Sequence, residues 1–148
     1  MDESSLLLRQ IPHSIEAEQS VLGAMLIDAR CIPDVVEALT GEDFYLKANR
    51  EIYETIYTMF NFSATIDPVT VLDQMKLTGV YDENTSRSYL LQLMEITPTA
   101  ANVKEYIRIV KDKALLRRIA ETAGELTTLV QEGGETAQAV LDLAEQRV

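Results

Sequence analysis

The feature that most constrains this chain is a long helix-compatible run, Asn102 to Val130, whose apolar stripe changes sides partway along. Each residue advances about 100° around a helix axis, so Val103, Ile107, Val110 and Ala114 share one face. Leu116, Ile119, Ala123, Leu126 and Val130 fall roughly half a turn away on the opposite face. A helix lying on a single core keeps one stripe throughout. The switch between Ala114 and Leu116 therefore predicts that the first half completes a globular head and the second half finds another partner. Gly133-Gly134 offers a turn, and Ala137, Val140, Leu141, Ala144 and Val148 then form a second amphipathic stretch. The expected fold is all-α, with a flexible lead-in over residues 1–13, a multi-helix head over 14–114 and a projecting helical hairpin over 115–148.

Helix punctuation upstream fits a head of several short helices. Ser14 reads as an N-cap, with Glu16 and Glu18 near the positive end of the helix dipole and Ile15, Leu22, Met25 and Leu26 as the buried stripe. Gly23 inside this helix costs about 1 kcal/mol relative to Ala, which is tolerable where another helix crosses closely. Pro33 suits the first turn of a second helix carrying Val35, Val36 and Leu39, with Gly41 ending it. Phe44 and Tyr45 anchor the next loop. Ile52, Tyr53, Ile56, Tyr57 and Phe60 repeat at helical spacing and read as core. Asp67-Pro68 is a cap followed by an N1 proline, opening a helix with Val69, Leu72 and Met75 that fails at Gly79. Ser86 is expected to cap a further helix bearing Tyr89, Leu90, Leu93 and Met94, closed by Thr97-Pro98. Leu6-Leu-Leu8 is read as a strap onto the head.

A chain of 148 residues can bury about 70% of its unfolded surface without disulfides or metals. Cys31 has no second cysteine to pair with, and Asp2-Glu3-Ser4-Ser5 lacks the basic start of a secretory signal, so the expected compartment is the cytoplasm. No apolar run approaches the ~20 residues that cross a bilayer. Net charge is −11, with 24 acids against 13 bases. Nucleic-acid affinity comes mainly from cations that neutralise phosphates, so little direct DNA binding is expected. A weak basic flank, Lys104, Arg108, Lys111 and Arg118, is the local exception. Glu105 and Asp112 stand at pairing distance along the helix, which reads as a solvated, salt-bridged face.

Several strings carry a family resemblance. Ile11-Pro-His-Ser-Ile-Glu-Ala-Glu-Gln-Ser-Val-Leu-Gly23 opens the series, and Glu42-Asp-Phe-Tyr45 and Val69-Thr-Val71 continue it. Pro98-Thr-Ala-Ala-Asn-Val103, Tyr106-Ile-Arg-Ile-Val110, Ala114-Leu-Leu-Arg-Arg-Ile119 and Leu141-Asp-Leu-Ala-Glu145 complete it. Their order and spacing resemble the N-terminal domain of DnaB-type bacterial replicative helicases over nearly the whole chain after residue 10. The resemblance implies a collar and docking domain that supports ring assembly. Copies would pair through the hairpins, three pairs would build a hexameric ring, and the ring's outer surface would receive the helicase-binding domain of DNA primase. A helicase loader or initiator is a further implied partner; a membrane is not. The expected partner and self-association face is Leu116, Ile119, Ala123, Leu126, Val130, Val140 and Leu141, with Tyr89 as an accessory interface position. Asn84-Thr-Ser-Arg87 departs from the Gly-Gly pair of many relatives, and the turn Glu132-Gly-Gly-Glu135 is short. The competing reading is a free-standing helical nucleic-acid-binding protein that uses the basic flank.

The ATP-driven motor implied by the resemblance has no counterpart in these residues. A P-loop needs Gly-x-x-x-x-Gly-Lys-Ser/Thr to cradle phosphates, and none of the six glycines is followed by Lys. ATP and Mg are expected in a RecA-like domain beyond Val148, because the amphipathic pattern stops there without a cap. His13 is the only histidine, so no His-x-x-x-His metal pair exists. Glu51 with Glu54, and Asp142 with Glu145, share helix faces, but acid-base chemistry also needs burial that separates their pKa values. No catalytic set, cofactor site or metal site is expected in this chain.

Overall fold

The computed structural model describes residues 11–147, and among these every regular element is helical. The elements are α1 (Ile15–Ile27), α2 (Ile32–Ala38), α3 (Lys47–Asn61), α4 (Pro68–Thr78), α5 (Ser86–Glu95), α6 (Val103–Glu132) and α7 (Ala137–Arg147), with short 3₁₀ turns at Ala29–Cys31 and Gly41–Asp43. Residues 13–112 form one compact unit, and residues 113–147 group with Ile11 and Pro12 in a second. The Leu6-Leu-Leu8 strap and Val148 lie outside the described residues.

The head unit is assembled from locally signalled helices pinned by distant polar ties. Ser14 caps α1 by accepting from the Ala17 amide at 3.2 Å. Gly23 is where α5 approaches: a Cβ there would stand 2.4 Å from the Leu93 carbonyl oxygen and 2.3 Å from Thr97 Oγ1. Only a glycine lets the two backbones come this near. The entry to α3 has no capping side chain at Leu46, and the buried Glu18 carboxylate serves instead. It accepts from the Tyr45 amide at 2.8 Å, the Leu46 amide at 3.4 Å and Asn49 Nδ2 at 3.0 Å. The Tyr53 hydroxyl donates to the Leu39 carbonyl at 2.5 Å and so holds α3 against the end of α2. Burial chiefly, and then neighbouring Tyr57 and Asp43, push that phenol's pKa up to about 12. The apolar interior gathers Val21, Leu22, Met25, Ile32, Val35, Phe44, Ile52, Ile56, Val71, Leu90 and Leu93, all essentially inaccessible.

Several local expectations are redrawn. Val71 and Met75, not Val69, are the buried residues of α4; Val69 sits about 200° from Val71 and is 75% exposed. Ile15 begins α1 at its edge and Tyr57 emerges at the surface of α3. Gly41 does not end α2. The helix stops because Leu39 turns to extended geometry, and Gly41 begins the 3₁₀ turn that follows. Ser86 is the first residue of α5, with Thr85 at the cap; its hydroxyl accepts from the Asp82 amide at 2.8 Å. Asp67 caps α4 and Gly79 ends it as expected; the structure adds a capping box with Thr70 and a φ of +79° at Gly79. Helix α6 runs 30 residues without interruption. Val103, Ile107, Val110 and Ala114 are its buried positions.

Candidate functional site

Beyond Ala114 the burial pattern changes character. Leu116, Ile119, Val130 and Leu141 are 42, 46, 65 and 53% exposed, and Ala123 is exposed with them. Leu126 and Val140, placed in the same expected face, are half-buried. They belong with Thr122, Leu129, Leu143 and Ala144, which are sheltered to the same degree. The sequence reading passed over Leu129 and Leu143. The signal that finds Leu129 is a second row at spacings of four and three, Thr122, Leu126 and Leu129, running beside the exposed row Leu116, Ile119, Ala123 and Val130, and Leu143 follows Val140 at a spacing of three. Leu126 stands at the border of both rows.

What holds these two helical arms is largely local. Gly133, at φ +72°, supplies the left-handed turn after α6, and its amide donates to the Leu129 carbonyl at 3.3 Å. An ion pair joins Arg147 of α7 to Glu125 of α6. Thr127 and Thr128 return their hydroxyls to the carbonyls four residues back. Arg117 donates to the Pro12 carbonyl at 2.8 Å. Nothing in α7 is fully buried. Leu, Ile and Val of this row therefore stand in water on a thin pair of helices.

The other expected positions fall elsewhere. Tyr89 on α5 is half-buried, with its hydroxyl donating to Asn49 Oδ1 and accepting from Gln19 Nε2 at 3.3 Å. Burial holds its phenol above the usual range, against the opposing effect of the Gln19 hydrogen bond. Two of the four residues of the basic flank are committed to acidic partners: Arg108 pairs with Glu105, and Lys111 reaches the buried Asp43 carboxylate at 3.5 Å. Arg108 holds Glu105 below the usual carboxylate range, mainly by its hydrogen bond. Asp43 also accepts from the Thr40 amide at 2.8 Å. Two missing charges make that flank a poorer phosphate surface than its sequence implies. Among the described residues no three His, Cys, Asp or Glu side chains come together as a metal site. No described helix is long and apolar enough to cross a membrane.

Known proteins share this arrangement. Residues 10–112 match the family model for the DnaB-like helicase N terminal domain. The replicative DNA helicase DnaB of Leifsonia xyli is 38% identical over 91% of this chain and 29% of its own length. The replicative DNA helicase DnaC of Bacillus subtilis is 36% identical over 89% of this chain and 28% of its own. The chain thus spans less than a third of these curated relatives. The crystal structure of the N-terminal domain of DnaB helicase from Mycobacterium tuberculosis superposes with a TM-score of 0.85 at 36% identity, covering 93% of this chain and 97% of that one. The N-terminal domain of DnaB helicase from Helicobacter pylori, described with its interactions with primase, has the same fold, with a TM-score of 0.67 at 19% identity over 88% of this chain and 99% of that one. On these matches the chain belongs to the DnaB-like helicase N-terminal domain family.

Proposed function

We propose that this chain is the assembly and docking domain of a replicative DNA helicase, forming part of a collar and recruiting primase, while ATP hydrolysis and unwinding belong to the rest of the parent protein. The observation that carries this reading is the exposed row Leu116, Ile119, Ala123 and Val130 with Leu141. Such a face gains from desolvation only when something covers it. The family membership supplies the context, and the interactions with primase described for the Helicobacter pylori domain supply one candidate partner. A second copy is the other, through hairpin pairing of the kind that builds a ring. The six glycines offer no phosphate cradle, so ATP and Mg have no fitting residues here, and no step of the motor is routed through this chain.

The direct test is sedimentation over a concentration series, alone and with the primase of the same bacterium, on the natural chain and on Ile119→Asp. An unpaired charge in a desolvated contact costs several kcal/mol but little in water. Ile119→Asp should therefore weaken association at least about tenfold while the thermal transition of the head stays in place. Because Leu126 is half-buried, Leu126→Asp should lower both association and hairpin helicity. Unchanged sedimentation of Ile119→Asp, with and without primase, would reduce the row to ordinary exposed surface.

A further inference from the structure

The head carries a second feature that the docking face does not use. A cavity of about 420 Å³ opens between α2, the 3₁₀ turn and α3, lined by Val36, Leu39, Gly41, Glu54, Tyr57 and Thr58. Glu54 and Thr58 also line a neighbouring cavity of about 210 Å³ with Glu51 and Gln74, so the Glu54 carboxylate borders both. Glu54 and Tyr57 are three residues apart on α3 and thus neighbours on one helix face. Tyr57 is 42% exposed and is backed by Tyr53, the two rings lying 6.1 Å apart and tilted by 24°.

The position of Glu54 is built into the backbone opposite. A Cβ on Gly41 would stand 2.3 Å from Glu54 Oε1 and 2.8 Å from its Cγ, so the missing side chain at Gly41 is the space the carboxylate occupies. Among the described residues no hydrogen bond or ion pair engages that carboxylate. The nearby cations are turned to other groups: Lys47 stands 3.9 Å from Glu51, and Arg50 donates to the Phe44 carbonyl at 3.3 Å while its buried Nε has no partner. The bordering elements α2 and the 3₁₀ turn add Asp34, Glu37, Glu42 and Asp43, the last held by Lys111, and contain no Lys or Arg themselves.

We propose that this cavity binds the guanidinium of an arginine side chain presented by a basic segment of a partner protein. An aromatic face beside an unengaged carboxylate suits a planar cation that can stack on the ring while its N–H groups fork onto the carboxylate. Lysine offers neither the plane nor the fork. The aliphatic stem would lie on Val36 and Leu39, and the adjoining smaller cavity would take the next side chain of the segment. The acidic balance of the chain favours such a partner's approach.

The test is an amide chemical-shift titration of the whole chain with acetyl-arginine amide, its neutral citrulline and lysine counterparts, and a short peptide containing one arginine. Saturable shifts centred on Gly41, Glu54 and Tyr57 are expected with arginine, weaker ones with lysine and none with citrulline. The peptide should bind more tightly than acetyl-arginine amide; equal affinity would remove the partner segment from the proposal. Glu54→Gln, at an exposed position, should weaken binding about fivefold without moving the melting curve. Gly41→Ala, which pushes the carboxylate aside, should do the same, and Tyr57→Leu should erase the preference for arginine over lysine. Shifts that are equal with citrulline, unaltered in Glu54→Gln, or scattered over the acidic surface would each overturn the assignment.

Discussion

The two units of this molecule are held by different kinds of interaction. In the head, hydrogen bonds connect residues far apart in sequence: Glu18 to Asn49, Tyr53 to Leu39, and Gln19 to Tyr89 across 70 positions. Their donors and acceptors are buried or half-buried, where an unmade bond would cost about 1–3 kcal/mol. In the hairpin the bonds are mostly one helical turn long, such as Thr127 to Ala123, Thr128 to Gly124 and Gln138 to Asp142. The head therefore specifies itself through non-local packing. The hairpin rests on helix propensity, one turn, the ion pair of Arg147 with Glu125 and a half-buried apolar row.

The sharpest way to break that comparison is to separate the units. Deleting Leu116 to Val148 should leave a head with a single cooperative thermal transition, since its core cluster is complete by Val110. The excised segment, as a dilute peptide, should lose the 11-residue α7 and part of the α6 remnant from Leu116 to Glu132 by circular dichroism, because isolated helices near or below about 12–15 residues are marginal. Helix that returns as peptide concentration rises would sharpen the case for hairpin pairing. A head without a sharp transition would mean that the two units are one cooperative structure.

A smaller effect comes from the glycine at the α1 and α5 crossing. Gly23→Ala places a methyl 2.4 Å from the Leu93 carbonyl oxygen, and a backbone atom cannot swing away as a side-chain end can. Overpacking of this kind costs about 1–3 kcal/mol, offset by a helix-propensity gain of up to about 1 kcal/mol. The expected net loss is about 1 kcal/mol, a drop in melting temperature of roughly 5 °C. No change would mean that α5 can retreat freely, and the head would be as loosely specified as the hairpin.

How far the sequence reveals this molecule follows the same division. Ser14, Asp67-Pro68, Gly79 and the stripe through Ala114 act within a few residues of themselves, so pattern and capping chemistry read them directly. Gly23 was legible as a crossing point because a helix-interior glycine needs a packing reason. Glu18 was read only as a charge at a helix start, since nothing near it announces that it will cap α3, 27 residues away. Val69 and Val71 look equivalent until the core chooses between them. Glu51 and Glu54 read as solvated surface. The carboxylate of Glu54 gains meaning only when Gly41, distant in sequence, is seen to leave room for it. On the hairpin, periodicity finds apolar rows but cannot tell the exposed Ile119 from the half-buried Leu126.

The mildest expected effect is the same substitution in the other unit. At Gly124, in the interior of α6, an added Cβ meets nothing within 4 Å, so Gly124→Ala carries the propensity gain of about 1 kcal/mol with no packing penalty. Where that gain appears is informative. A hairpin secured by local bonds opens locally, and the stabilisation should then appear as about fivefold greater protection of amides around Gly124 from hydrogen exchange. The head's melting temperature should not move, because the head's transition draws on interactions that this residue does not touch. A rise in that melting temperature equal to the full gain would show α6 melting as one piece from Val103 to Glu132, which would erase the distinction between the two units. No gain in protection would mean that the helix around Gly124 is not formed in the isolated chain and awaits its partner.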